Sequence, residues 1–156
     1  MTDRKAPRSP HALFAIEGDC QRPQGFGPLD LSEAHPNYRV DDLATVDQRL
    51  SGKGVRLRTL IDTVGPGYGV AWITIESLNG FRACLPLAQV SRTGIVVYEK
   101  GGKPLSIEDG GPARLIVPYL PGEAADVKAL SRLVLTRDCI PTGSGAGLGS
   151  TAAARR

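Results

Sequence analysis

Glycine and proline punctuate this chain too often for long regular elements. The 19 glycines and 12 prolines occupy 31 of 156 positions, about a fifth, against an average nearer 12%. Such spacing excludes a long helical bundle or a coiled coil and favours short strands joined by turns. Hydrophobic residues make up 41% and charged residues 22%, the balance of a globular domain, and the length suits one domain with one modest core. No apolar run approaches the roughly 20 residues of a membrane helix. The polar start, Met1 to Pro10, lacks the apolar centre of a secretory signal, so the expected compartment is the cytoplasm, with no membrane contact.

The net charge is +3, with the basic residues scattered. A nucleic-acid binder of this size shows a basic stripe and, for single strands, aromatic platforms. The eight aromatics here are too few, and no nucleic-acid partner is expected. Cys20, Cys84 and Cys139 are far apart and odd in number. They form neither a CxxC metal site nor a disulfide framework, and are read as reduced, partly buried thiols.

Local patterns give a coarse map. Ala12–Gly18 reads as a first strand, Cys20–Pro28 as a loop, and Leu29–Ser32 as a brief extended piece. Tyr38–Leu50 carries both a three-residue spacing (Val40, Leu43, Val46) and an alternation (Tyr38, Val40, Asp42), and is read as a strand or irregular segment. Val55–Val64 is the one clear helix, with Leu57, Leu60, Ile61 and Val64 on a single face and Gly65-Pro66 as its stop. Val70–Glu76 is the best strand, Asn79-Gly80 the hairpin turn, and Phe81–Leu85 the returning strand. Pro86–Val90 reads as a short helical element, Val127–Leu130 as a turn, and Ile95–Glu99, Ala113–Pro118 and Leu133–Thr136 as further strands. The sum is an α+β fold of mostly antiparallel short strands with one clear helix. Residues 1–11 are expected to be a flexible arm, 12–140 a single domain, and 141–156 a flexible Gly/Ala-rich tail.

Most chemistry-bearing patterns are weak. Gly143–Gly149 lacks the preceding strand, following helix and lysine of a phosphate loop. His11 and His35 sit in proline-flanked loops, and no metal site is expected. The adjacent Asp41 and Asp42 would point to opposite faces of a strand. The cations Arg82, Arg114, Lys128 and Arg132 lie on or beside strands and tight loops, where arginines and backbone amides can meet an anion or simply cover apolar surface with their stems.

One ordered set of segments is more specific. Gly110-Gly111-Pro112-Ala113-Arg114-Leu115-Ile116-Val117-Pro118, followed by Val127-Lys128-Ala129-Leu130, resembles the molybdopterin-binding domain of the sulfite oxidase family. That family shows His-Gly-x-Pro-x-Arg, three apolar residues and Pro, then Val-Lys-Trp-Leu. Phe14–Gly18, Gly54–Ile61, Gly80–Leu87 and Gly102–Leu105 resemble its opening strand, its Gly-Val-x-Leu helix, its Leu-Pro-Leu hairpin and its Gly-x-Pro-Leu turn, in the right order over residues 12–137. The resemblance implies a sulfite-oxidase-like molybdopterin-domain fold and molybdopterin as cofactor, with Gly111, Arg114 and Lys128 at positions that touch the pterin or its phosphate; Arg82 joins them as a cofactor-binding candidate. Three departures stand out. The family's molybdenum-ligating cysteine precedes the Gly-Val-x-Leu helix, yet Val40–Leu50 contains none; its His is Asp109 here, and its Trp is Ala129.

These features define three readings. The leading one is a divergent, non-catalytic member, or one with an altered pocket for an anionic small molecule around Arg82, Arg114 and Lys128. The second is a molybdopterin-dependent oxidoreductase, or a subunit of one, with an unusual metal ligand. The third is a protein-interaction or scaffold module with a protein partner.

Overall fold

The computed structural model describes residues 11–139. Residues 1–10 of the arm assigned to 1–11, and the tail 141–156 with its Gly143–Gly149 segment, lie outside the described residues. Two sheets carry the fold. The first contains β1 (Phe14–Gly18), β2 (Gln24–Phe26), β5 (Trp72–Ser77), β6 (Arg82–Pro86) and β11 (Leu130–Thr136), in the order β2-β1-β11-β5-β6. The second contains β3 (Arg39–Val40), β4 (Lys53–Arg56), β7 (Ile95–Lys100), β9 (Arg114–Ile116) and β10 (Asp126–Val127), in the order β10-β9-β7-β4-β3, with β8 (Lys103–Pro104) paired to β7. All pairs are antiparallel except β1 with β11, where Ile16 meets Leu133 in parallel register.

Sequence periodicity explains the centre. In β5, Ile73 and Ile75 are wholly buried, while Trp72 and Glu76 on the opposite face remain half-buried, as a two-residue repeat requires. The hairpin turn places Gly80 at φ +91°, and Ser77 Oγ accepts from the amides of Asn79 and Phe81. Helix α2 (Leu57–Val64) buries Leu57, Leu60, Ile61 and Val64. It ends at Gly65, whose φ of +68° suits glycine. Residues from both sheets, α1 (Pro28–Ser32), α2 and α3 (Leu87–Thr93) share the main core. A smaller core of Val40, Leu43, Ile95, Val97, Leu105 and Ile116 lies between the second sheet and the segment that covers it.

Several expectations change. The helix read from Val55 starts at Leu57, because Lys53–Arg56 pairs with β7 (Val55 opposite Val96). Leu29–Ser32 is helical rather than extended, since Pro28 sits in the first turn and Asp30 accepts from the Gly27 amide at 2.8 Å. The loop assigned to Cys20–Pro28 contains β2, and of the turn assigned to Val127–Leu130 the centre, Lys128-Ala129, is the bend between β10 and β11. Tyr38–Leu50 is irregular apart from β3 and a 3-10 turn at Leu43–Thr45, where Asp42 caps the Ala44 amide at 3.0 Å.

The cysteine reading requires a larger correction. Cys84 and Cys139 form a disulfide, with Cα atoms 6.0 Å apart. They lie 55 positions apart in the sequence, so their proximity had no local signature. It arises because β11, β5 and β6 are successive neighbours and the chain turns back after Thr136. Cys20 is buried and outside this bridge. No helix among the described residues is long and apolar enough to cross a membrane.

Candidate functional site

The second sheet positions a cluster of charged groups by strand register. Asp126 lies opposite Ile116 in the β9–β10 pair, so the two share a sheet face. Arg114, two residues before Ile116, falls on that face as well. Arg114 donates Nε to Asp126 Oδ1 at 2.7 Å and a terminal nitrogen to Oδ2 at 2.6 Å. Its other terminal nitrogen donates to the Asp109 carbonyl at 3.3 Å. The carboxylate of Asp126 raises the Arg114 pKa through these hydrogen bonds, so the guanidinium is fixed as a cation.

Glycines make room for this arrangement. Gly110 has φ +98°, and a β-carbon there would lie 2.8 Å from Arg114 Cδ and 3.0 Å from Lys128 Cγ. The Arg114 and Lys128 stems therefore flank Gly110. The Gly110 carbonyl accepts from the Ala129 amide at 2.8 Å, which ties the loop to the segment between β10 and β11. Gly111 donates to the Ser106 carbonyl at 2.7 Å, and a β-carbon on it would collide with the Leu105 carbonyl. Asp109 accepts from Lys100 Nζ at 3.1 Å and Ser106 Oγ at 3.0 Å. Those bonds, Lys100's first, lower its pKa.

Beside this cluster lies a cavity of about 890 Å³, within the size range of small-molecule sites. One wall is Val46–Leu50; the other comprises Ile116–Leu120, Ala125 and Asp126. Arg49 pairs with Asp47 through two side-chain bonds of 3.1 and 2.9 Å. Tyr119, at the rim, is 95% exposed and has φ +71°.

The sequence candidates thus separate into two places. Gly111, Arg114 and Lys128 come together around the Gly110 loop, and none of them lines the cavity; Arg114 reaches its edge through Asp126. Arg82 lies on β6, at the edge of the other sheet, where it contacts Glu76 Oε2 at 3.5 Å. Glu76 also accepts two bonds of 3.1 Å from Arg132, and Arg132 donates to Glu17 at 3.0 Å. That network crosses β1, β11, β5 and β6. No cysteine lines the cavity, and no three His, Cys, Asp or Glu side chains among the described residues cluster as metal ligands. Sequence reasoning missed Asp126, the Asp47–Arg49 pair and Tyr119. Only the Pro118-Tyr119-Leu120-Pro121-Gly122 run signalled an unusual turn there.

The Asp47–Arg49 pair leads to a pH prediction for the wall. Hydrogen bonds from the Arg49 side chain and then its amide lower the Asp47 pKa from 3.8 to about 2. A depressed carboxylate pKa stabilises the fold above the unfolded value and ceases to do so as pH falls through the folded one. The contribution of Asp47 is therefore complete above pH 4 and disappears on acidification towards pH 2. Asp47→Asn is expected to flatten the acid limb of a stability-against-pH curve slightly, because the pair is solvent-screened. An unchanged acid limb in denaturant titrations would show that the pair does not hold this wall.

Comparison with known proteins bears on the fold and family. The family profile described as oxidoreductase molybdopterin binding domain matches residues 50–142. No curated protein matches the sequence. Among solved structures, the sulfane dehydrogenase SoxCD from Paracoccus pantotrophus superposes with a TM-score of 0.61 at 21% identity, over 80% of this chain. The chain spans 38% of that protein's length. The α+β architecture is therefore that of the sulfite-oxidase-like molybdopterin domain. With the profile covering more than half of its residues, the chain belongs to the oxidoreductase molybdopterin-binding domain family.

Proposed function

We propose that this domain uses the molybdopterin-family fold as a ligand-binding module without a molybdenum centre of its own. The observation that carries the reading is the Arg114–Asp126 fork. The guanidinium that the family resemblance aligns with a phosphate contact is engaged through Nε and one terminal nitrogen by a carboxylate of the same chain. The donor chemistry of the cavity agrees. A protein-bound molybdenum dithiolene calls for a soft thiolate, whereas this wall offers only carboxylates, an amide, an arginine, a tyrosine and apolar side chains. The residues present do not fit the metal group, and no redox step is assigned to them.

The test uses the full chain expressed in a host that makes molybdenum cofactor. Molybdenum by mass spectrometry and released pterin by fluorescence are expected far below one per chain. Near-stoichiometric amounts of both would overturn the reading. A second prediction concerns the fork. Asp126→Ala releases the Arg114 guanidinium, and inorganic phosphate affinity measured calorimetrically is expected to rise by about tenfold, the scale of one charge-assisted bond. No gain would mean that Asp126 does not block an anion site.

The superposition on a sulfane dehydrogenase of much greater length favours one other reading, an oxidoreductase subunit that receives its metal ligand from a protein partner. Molybdenum retained only when such a partner co-purifies would support it.

A further inference from the structure

We propose that Tyr119 is the stacking platform of the cavity between Val46–Leu50 and Ile116–Asp126, and that this cavity takes an uncharged planar ring compound. The proposal deepens the binding-module reading and rests on it. Tyr119 has φ +71° as the third residue of the Val117–Leu120 turn, which the Leu120 amide closes on the Val117 carbonyl at 3.2 Å and whose third position favours glycine. The turn leaves the side chain 95% exposed. Glycine would fill this backbone position at no conformational cost. An unburied aromatic ring, at a turn position that favours glycine, thus stands at the rim of the cavity.

The remaining lining sets the ligand's character. Ile116 and Val117 are buried, and Val46, Leu50, Pro118 and Leu120 add apolar surface. The two acids of the lining, Asp47 and Asp126, are each paired with an arginine. The Asp47–Arg49 charges are engaged with each other and the Arg49 side chain is largely in solvent. No cation of the lining is left over for a phosphate, which would also meet two carboxylates. A flat, neutral ring system gains stacking and apolar burial without competing with either ion pair.

Riboflavin and its phosphorylated form, flavin mononucleotide, serve as probes because they share a ring system and differ in charge. Fluorescence titration of the full chain is expected to show riboflavin binding about tenfold or more tighter than flavin mononucleotide. Tyr119→Gly is expected to weaken riboflavin by a similar factor while its thermal midpoint stays level or rises, since glycine accepts this φ. Tyr119→Phe keeps the ring and is expected to keep the affinity. The proposal is overturned if riboflavin does not bind, if flavin mononucleotide binds as well or better, or if Tyr119→Gly leaves riboflavin affinity unchanged. Molybdenum content of the same preparation separates the two failures. Stoichiometric metal removes the binding-module reading, whereas metal-free protein that ignores riboflavin removes only this inference.

Discussion

Cys84→Ser is expected to lower the stability of the domain by about 4 kcal/mol, the entropy that a cross-link closing a loop of this length removes from the unfolded chain. The bridge spans 55 residues, from the edge strand β6 to the segment after β11. Within that span lie α3, the second-sheet strands β7 to β10 and β11 itself. The unfolded ensemble is therefore restricted across most of the second half of the fold. For a domain of this size the thermal midpoint should fall by more than about 10 °C. Cys139→Ser should reproduce the loss, and the double variant should equal either single one, because both remove the same link. Wild-type protein in excess dithiothreitol should unfold like the variants. Equal midpoints with and without reductant, together with three titratable thiols in denatured protein, would show that the pair is not bridged.

The second large effect is expected at Gly111, where Ala should cost about 3 kcal/mol, the upper range for overpacking a rigid site. The obstacle is backbone, which cannot swing aside as a flexible side chain can. A β-carbon would strike the Leu105 carbonyl and lie 2.9 Å from the Ser106 oxygen. Relief of that collision would strain the Gly111 amide bond to Ser106 and the turn that places Asp109. Leu105 is itself buried in the smaller core, so the displacement would spread towards Ile116 and the cavity floor. Lys128→Ala, at an exposed neighbour of the same cluster, should change stability by less than about 0.5 kcal/mol. Urea denaturation of the two variants gives the comparison. A Gly111→Ala protein as stable as wild type would mean that the loop yields, and that glycine is needed there for something other than close packing.

These two residues illustrate how differently the fold and the site could be read from the sequence. Gly111 was legible as special because it sits in a short, ordered motif with Pro112 and Arg114. Its packing role was not legible, since the carbonyls it faces become its neighbours only when the turn closes. Cys84 and Cys139 were read as unrelated because nothing local links a residue on β6 to one that follows β11, two strands away in the same sheet. Arg82 and Arg114 were grouped by charge and strand context, yet they lie on different sheets. Asp126 was overlooked because an isolated acid in a loop-like run gains meaning only through its register opposite Ile116.

The local elements follow from the chain alone. Helix α2, strand β5 and the β5–β6 hairpin are specified by apolar spacing, a helix-ending glycine and an Asn-Gly turn, which act within a few residues. The family motifs are contiguous for the same reason, and the mostly antiparallel α+β architecture follows from the frequency of turns. Tertiary structure alone decided the parallel β1–β11 pair, the Cys84–Cys139 bridge, the Arg114–Asp126 fork and the wall that Val46–Leu50 forms beside Tyr119. Each joins residues distant in the chain, and their meeting depends on strand order and register, which arise from burial summed over the whole core rather than from any local preference.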